Sequence, residues 1–414
     1  MSAFRLAWRN LGRNRRRTAL SLAGVAAGTA ALLLTAGFVV FSFRGLSEAM
    51  IHGGLGHLEV ARAATVAASG ATLERPLAAG LDDWRELQAA IEALPRVRAA
   101  APTVHVAGMG STPDGRTAAF LGLAVDPERE RRMGFDLKLR GGHPLADAAP
   151  ATGEDEILVA TGLAETLGLV PGAPLTLLAL DPDGMLNALD VRVAGIVTTG
   201  VQELDTRYLK LHLATAARLL ASESVSNLVV TLDATRDTEA ARQEIAALVA
   251  GHEPALAVTG WRERAPFYGQ VRNLYAGIFW FLGAIVFVLV VLSTSNTLTM
   301  AVLERVRELG TLRAIGASAG QLARLVLAEA LWLALFGALL GGGVAALLIA
   351  LLNALHLQMP PPPGAVNPID LRLAWVPEAF AGAVLLMLAV LSLAAIPPLV
   401  RVARLRIVEA LTHR

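Results

Sequence analysis

Four stretches of this chain are too apolar and too long to be at home in water, and their uneven spacing restricts the fold more than any motif does. Thr18 to Phe43, reading TALSLAGVAAGTAALLLTAGFVVFSF, carries no charge over a length that crosses a bilayer core of roughly 30 Å. Three further segments, 274–300, 322–352 and 377–400, crowd into the last third of the chain, each with an apolar core of about 17 or more residues. Between the first and the second lies ordinary soluble-domain sequence, residues 44–273. The expected architecture is an α-helical membrane protein with four transmembrane helices in a 1+3 arrangement. A large α+β domain is expected between the first two helices.

Charge placement orients this scheme. Arg5, Arg9, Arg13, Arg15, Arg16 and Arg17 precede the first span with no acid among them, which marks residues 1–17 as cytoplasmic. The loop 301–321 carries Arg305, Arg307 and Arg313, and the tail 401–414 carries Arg401, Arg404, Arg406 and Arg414, so both face the same side. The loop 353–376 has Arg372 as its single base and belongs with the 44–273 domain on the opposite side. A cleaved signal peptide does not suit the length of the first span, nor the lack of a small-residue cleavage site behind it. Before that span, Phe4, Trp8 and Leu11 recur at helical spacing opposite the arginines. This reads either as an amphipathic elbow in the headgroup layer or as a basic flank.

The intervening domain alternates short strands with amphipathic helices. Strands are expected at Gly56 to Val60, Ala118 to Val125, Ile157 to Val159, Leu175 to Ala179, Val191 to Val197, Asn227 to Leu232 and Leu256 to Thr259. Helices are expected at Asp82 to Leu94 and Thr238 to Ala250, while Ala61 to Gly80 is weakly patterned. Trp261 to Asn273 mixes aromatics with arginines, and reads as a helical continuation of the second span, an interfacial aromatic anchor, or both.

Several chemistries are absent. The two lysines, Lys138 and Lys210, do not follow a glycine, so no phosphate-binding P-loop exists in this chain. There is no H-E-x-x-H and no cysteine, which removes thiolate metal sites, disulfides and a cysteine nucleophile. His52 and His57 lack the spacing of a helical metal pair, so no metal site and no catalytic residue is expected. Within the spans acids are few: Glu329 in the third and Glu378 at the start of the fourth. Glu329 can serve a proton path or an interhelical hydrogen bond.

The most specific stretch is ERVRELGTLRAIGAS, Glu304 to Ser318. Charged Glu304, Arg305, Arg307, Glu308 and Arg313 alternate with apolar Val306, Leu309, Leu312 and Ile315, describing a short amphipathic helix that ends at Gly316. Its apolar stripe rests on the lipid interface or docks in a groove of another protein. Small residues, Gly24, Ala27, Gly28 and Ala31 in the first span and Gly337, Gly341, Gly342 and Gly343 in the third, permit close helix packing, and no aligned charges line a conduit. In the loop after the third span, Met359, Pro360, Pro361, Pro362, Pro363 and Gly364 form a stiff extended element, either a contact for lipid-borne cargo or a plain linker.

ERVRELGTLRAIGAS with the following GQLARLVLAEALWLALFGALLGGGVAALL resembles the signature of FtsX-like permeases, the membrane subunits of MacB-type ABC transporters, with the lipoprotein-releasing (LolC/LolE) branch among them. FRLAWRNLGRNRRRTALSLAGVA looks like that family's N-terminus and LVRVARLRIVEAL like its tail; GHLEV and VRVAGIVTTGVQELD look like the outer domain of the lipoprotein-releasing branch. MPPPPG departs from the MacB pattern. The resemblance spans nearly the whole chain. It implies a non-catalytic subunit of the bacterial inner membrane, termini cytoplasmic and large domain periplasmic, with ATP and magnesium bound by separate ABC ATPase subunits and no cofactor of its own. It further implies a second permease copy or paralogue as partner, lipid or lipoprotein as cargo, and no nucleic acid. The family's coupling helix maps onto Glu304, Arg305, Arg307, Glu308, Leu309, Arg313, Ala314 and Gly316. On this resemblance the chain transmits ATP-driven motion to its periplasmic domain to release lipid-anchored cargo. The alternatives are MacB-like efflux of peptide or drug, and FtsX-like regulation of a cell-wall hydrolase without transport.

Overall fold

The computed structural model describes residues 7, 15–69, 80–135, 137–148, 154–359 and 369–403. The chain divides into an α/β unit, Gly45–Val271, and a helical unit built from Met1–Arg44, Arg272–Met359 and Asp370–Arg414.

Among the described residues of the α/β unit ten strands follow one another: β1 Leu58–Arg62, β2 Val97–Ser111, β3 Thr117–Val125, β4 Lys138–Gly142, β5 Asp155–Ala160, β6 Pro174–Leu180, β7 Leu186–Thr198, β8 Tyr208–His212, β9 Asn227–Leu232 and β10 Leu256–Gly260. Their order is β10-β1-β9-β2-β3-β8-β5-β7-β4, with β6 pairing to β2 and β7. The first four of these run antiparallel. Helix Trp84–Glu92 connects β1 to β2, and helix Thr238–Leu248 connects β9 to β10. Two such strand–helix–strand halves in this order make a ferredoxin-like lobe.

The second lobe is inserted between β2 and β9. Strand β2 serves both lobes: Val97–Thr103 pairs with β9, while Val104–Ser111 pairs with β3. One continuous apolar cluster runs through both, from Leu58, Val60, Ile91 and Val230 in the first to Phe120, Ile157, Leu177 and Leu209 in the second. Gly56 opens the sheet at φ +64°, where a Cβ would lie 2.9 Å from the Val230 carbonyl, so this position requires glycine.

Among the described residues four helices are long and apolar enough to span a bilayer: Thr18–Leu55, Tyr268–Glu304, Ala319–Ala354 and Pro377–Ala403. The second belongs to a continuous helix, Pro266–Glu304, whose 39 residues extend on the order of 58 Å at the α-helical rise. The first helix, Arg15–Met50, likewise runs beyond Phe43. Packing in the helical unit centres on small residues. Val25 packs with Ala330, Ala334 and Ala338 of the third long helix and with Met387, Val390 and Leu391 of the fourth. A Cβ on Gly341 would meet the Ala26 carbonyl at 2.5 Å, and one on Gly28 would touch Val290 at 3.2 Å. Gly24 and Gly343, also expected to support close packing, face open space instead. The first helix makes contact through Val25, Gly28, Thr29, Ala30 and Leu33, a stripe offset from Gly24, Ala27 and Ala31, because 3.6-residue periodicity carries those onto the exposed side.

Beyond the third long helix, Gln358–Met359 pairs with Ile369–Asp370. The Asn353 side chain then grips the main chain of Leu373 with two hydrogen bonds of 2.9 and 3.0 Å. Next to it the Ala374 amide donates to the Gly37 carbonyl at 3.2 Å, an approach so close that a Cβ on Gly37 would lie 2.5 Å from the Ala374 oxygen.

Candidate functional site

The second long helix stops at Glu304 because Arg305 leaves helical geometry, with φ −107° and ψ 12°, and a new helix begins at Val306 and runs to Ala314. It ends in a Schellman motif, in which the Gly316 amide donates to the Arg313 carbonyl at 3.0 Å and the Ala317 amide to the Leu312 carbonyl at 2.9 Å. Gly316 takes φ +104°, which a side chain would strain. Ser318 then opens the third long helix through a capping box with Gln321, at 3.2 and 2.9 Å. The bounds of the short helix are therefore fixed at both ends by local chemistry.

The helix splits its side chains cleanly. Val306, Leu309 and Gly310 are buried, and Leu309 packs with Val302, Leu322, Val326 and Val402. Glu304, Arg307, Glu308, Thr311, Leu312, Ala314 and Ile315 are exposed, Ile315 by 80 %, and Arg313 is half-buried. The apolar stripe expected to face a single surface is thus divided. Its first half closes the helical unit's own core and its second half stays free. Glu308, Leu312 and Ile315 lie at i, i+4 and i+7, a continuous strip carrying one carboxylate and two large apolar groups.

Arg305 does not stay with the exposed charges. Its Nη1 donates to Glu329 Oε1 of the third long helix at 3.1 Å, with the two side chains 21 % and 13 % exposed. Of the two roles open to Glu329, interhelical hydrogen bonding is the one this geometry displays. Of the elbow expected at residues 1–17, residues 7 and 15–17 are described: Ala7 is helical and buried against Leu325 and Ala328, and residues 15–17 already belong to the first long helix. The loop candidates Pro360, Pro361, Pro362, Pro363 and Gly364 lie outside the described residues, and the Met359 backbone belongs to the two-residue strand that ends there.

A second constellation, not anticipated from sequence, sits where the α/β unit begins and ends. Glu59 on β1 is fully buried and pairs with Arg264, while Asn227 on β9 donates to Glu59 and accepts from Thr103 on β2. Arg264 also donates to the Leu55 carbonyl at 2.8 Å, tying the entry of the unit to its exit. Beside it Trp261, 2 % exposed, meets Tyr268 edge-on at 4.8 Å between ring centres. Trp261 is a packing residue of this unit, so its ring is not the interfacial anchor that the aromatic-rich segment suggested.

On the other side of Leu58, the Leu232 amide donates to His57 Nδ1 at 3.2 Å. Nε2 therefore carries the proton and donates to Thr235 Oγ1 at 3.1 Å, and the Thr235 hydroxyl in turn donates to Glu48 Oε1 at 3.1 Å. Burial, helped by nearby His52 and opposed by Glu48, pushes the His57 pKa down to about 4, so the ring stays neutral. The sequence signals for both networks were single polar letters, Glu59 and His57 inside a strand-like run and Arg264 among charges, with nothing to say they meet. Among the described residues no group of three or more His, Asp and Glu could hold a metal ion.

The comparisons with known proteins cover both units. Residues 18–248 match the model of the MacB-like periplasmic core domain, and residues 280–407, which include the short helix and Glu329, match that of the FtsX-like permease C-terminal region. The lipoprotein-releasing system transmembrane protein LolC of Neisseria meningitidis serogroup B is 27% identical over 332 residues, covering 78% of this chain and 75% of LolC. The ABC transporter permease YknZ of Bacillus subtilis is 26% identical over 164 residues, 38% of this chain and 41% of YknZ. The periplasmic region of MacB from Actinobacillus actinomycetemcomitans overlays with a TM-score of 0.37 at 12% identity, covering 54% of this chain and 96% of that one. With more than half of its length inside the MacB-like match and its last three long helices largely inside the FtsX-like one, this chain belongs to the FtsX-like, MacB-type family of ABC transporter permeases.

Proposed function

We propose that this chain couples a separate ABC ATPase, bound at the helix Val306–Ala314, to movement of the α/β unit, and that it acts on a lipid-anchored cargo in the bacterial inner membrane. The observation that carries this reading is the divided short helix. One face is built into the helical unit through Val306 and Leu309, and the other offers Glu308, Leu312 and Ile315 beside Arg307. A helix held on one side and bare on the other can receive a push and hand it to the helices it is packed in. In this reading Arg307, Glu308 and Ala314 meet the ATPase directly, while Leu309, Arg305 and Gly316 set the position of the helix. The arginines before the first span, in the 301–321 loop and in the tail support a cytoplasmic placement of all three, with the α/β unit on the periplasmic side.

A second permease copy or paralogue belongs in the complex. The second long helix leaves Trp280 80 % and Phe281 67 % exposed, an apolar surface for lipid or for a neighbouring membrane helix. The lipid-anchored cargo is supported by the similarity to LolC. Efflux of peptide or drug and regulation of a cell-wall hydrolase are the competing outcomes of the same experiment. Native mass spectrometry of the complex purified in lipid should find an ABC ATPase, two permease chains and an acylated protein; a bound hydrolase without acylated protein would replace the cargo assignment. Charge reversal at Glu308 and Arg313 together should leave the chain inserted and abolish permease-dependent ATP hydrolysis. Undiminished hydrolysis in that variant would remove the short helix from the mechanism.

A further inference from the structure

Arg305 and Glu329 are two charges in surroundings that otherwise avoid them. The third long helix has no ionisable residue beyond Arg324 other than Glu329, whose neighbours Leu325, Val326, Ala328, Ala330 and Leu333 are buried. A carboxylate there is strongly disfavoured unless a cation answers it. The answering cation comes from the single non-helical residue between the second long helix and the short one, at 3.1 Å. That residue is also where the chain changes direction. Arg305 takes a helix-breaking conformation, its amide donates to the Val302 carbonyl at 3.1 Å, and its carbonyl accepts from the Leu309 amide at 2.9 Å. The guanidinium thus reaches from a hinge-like backbone position to a carboxylate 24 residues further on, in the third long helix.

We propose that Glu329 is a positioning residue that sets the angle of the helix Val306–Ala314 through Arg305, and that this joint delivers displacement of the short helix to the third long helix. The proposal rests on the coupling role given to the short helix above. The geometry assigns different tasks to the two attachments. Leu309 and Val306 hold the helix down by apolar contact, which is non-directional and tolerates rolling. The ion pair is directional and lies at the pivot, so it defines how the helix is aimed. If the pair served stability alone, matched apolar residues would serve as well or better.

The test uses the full chain in nanodiscs, and the absence of native cysteine leaves labelling sites free to choose. Nitroxides at Leu312→Cys and Leu340→Cys, both exposed positions, report the distance from the short helix to the third long helix. Glu329→Gln keeps the side-chain shape and should roughly double the width of the distance distribution. The exchange Arg305→Glu with Glu329→Arg should narrow it again. In the complex with its ATPase, unlabelled Glu329→Gln should lower permease-dependent ATP hydrolysis about tenfold at unchanged complex yield, and the exchange should recover most of it. The proposal is overturned if Glu329→Gln leaves the distribution as narrow as the parent's, or if the exchanged pair behaves like Glu329→Gln alone. Reversal of Glu308 and Arg313 separates the two levels. If it abolishes hydrolysis while Glu329→Gln does not, the joint is excluded and the coupling surface stands; if neither variant changes hydrolysis, the coupling role itself has failed.

Discussion

The α/β unit and the helical unit place their large apolar side chains by opposite rules. In the first, Phe120, Leu58, Leu209 and Val230 are buried to 2 % exposure or less, and exposed apolar groups such as Met185 and Leu186 collect at the β6–β7 turn. In the second, Trp280, Phe281 and Leu289 point outward while the buried positions of the third long helix include Ala330, Ala334, Ala338 and Gly341. Water drives large side chains inward in the one case. Lipid removes that drive in the other, and close contact then favours whichever residues let backbones approach. Hydrophobicity is therefore a guide to the interior of the α/β unit only. In the helical unit the informative residues are the small ones and the rare charges.

The sharpest test of this contrast is a charge inside the water-soluble fold. Arg264→Met leaves Glu59 buried without its cation and should cost about 3–5 kcal/mol, read as lost hydrogen-exchange protection of β1 and β9 amides in the full chain. Adding Glu59→Met should return most of that protection, and a silent single variant would mean that the pair does not hold the unit's two ends together. Core truncation comes next. Phe120→Ala should cost about 3–4 kcal/mol by the same measurement on β3.

Acid should act through His57. Its folded pKa of about 4 lies below the ordinary 6.5, so the folded state holds fewer protons between those values. The resulting stability is fully present above about pH 6.5 and is lost as the pH falls from there through about 4, amounting to no more than about 3 kcal/mol. His57→Gln should flatten that pH dependence of the β9 amides, and an unchanged slope would assign it to other groups. The smallest effect is expected from Phe281→Ala. In a lipid nanodisc it should shift the thermal transition of the chain alone by no more than about 0.5 kcal/mol allows. A loss comparable to that of Phe120→Ala would show that the second long helix is packed against something in the monomer.

Where the pattern was strong, sequence and structure agree closely. Asn227–Leu232 is a strand from end to end, Leu256–Gly260 is one residue longer than expected, and Pro174–Leu180 is one residue longer at each end. Strand β2 was not legible, because its VRAAAPTVHVAGMGS is rich in Ala and Gly and contains a proline, all poor strand formers, and its pairing with β9, β3 and β6 overrides that preference. The helix Pro127–Met133 is not among the expected elements, although Asp126 caps it and Gly134 ends it in the left-handed region, both readable signals. At the short helix the amphipathic stripe and the stop at Gly316 were visible, but the stripe's division between core and surface was not. Periodicity says which residues share a face and is silent about how much of that face a neighbour covers.

By itself the sequence determined that the chain has four lipid-length apolar segments with a folded unit between the first two, and that P-loop, thiol and Zn-protease chemistry are absent. Those conclusions depend on length, composition and order along the chain, which no fold can alter. The tertiary structure alone decided that Glu329 answers Arg305, that Arg264 answers Glu59, and that Val25, not Gly24, faces the third long helix. Each of these joins residues far apart in the chain, and the energy that selects the partner, the desolvation of a charge or the contact of two backbones, exists only once the elements have met.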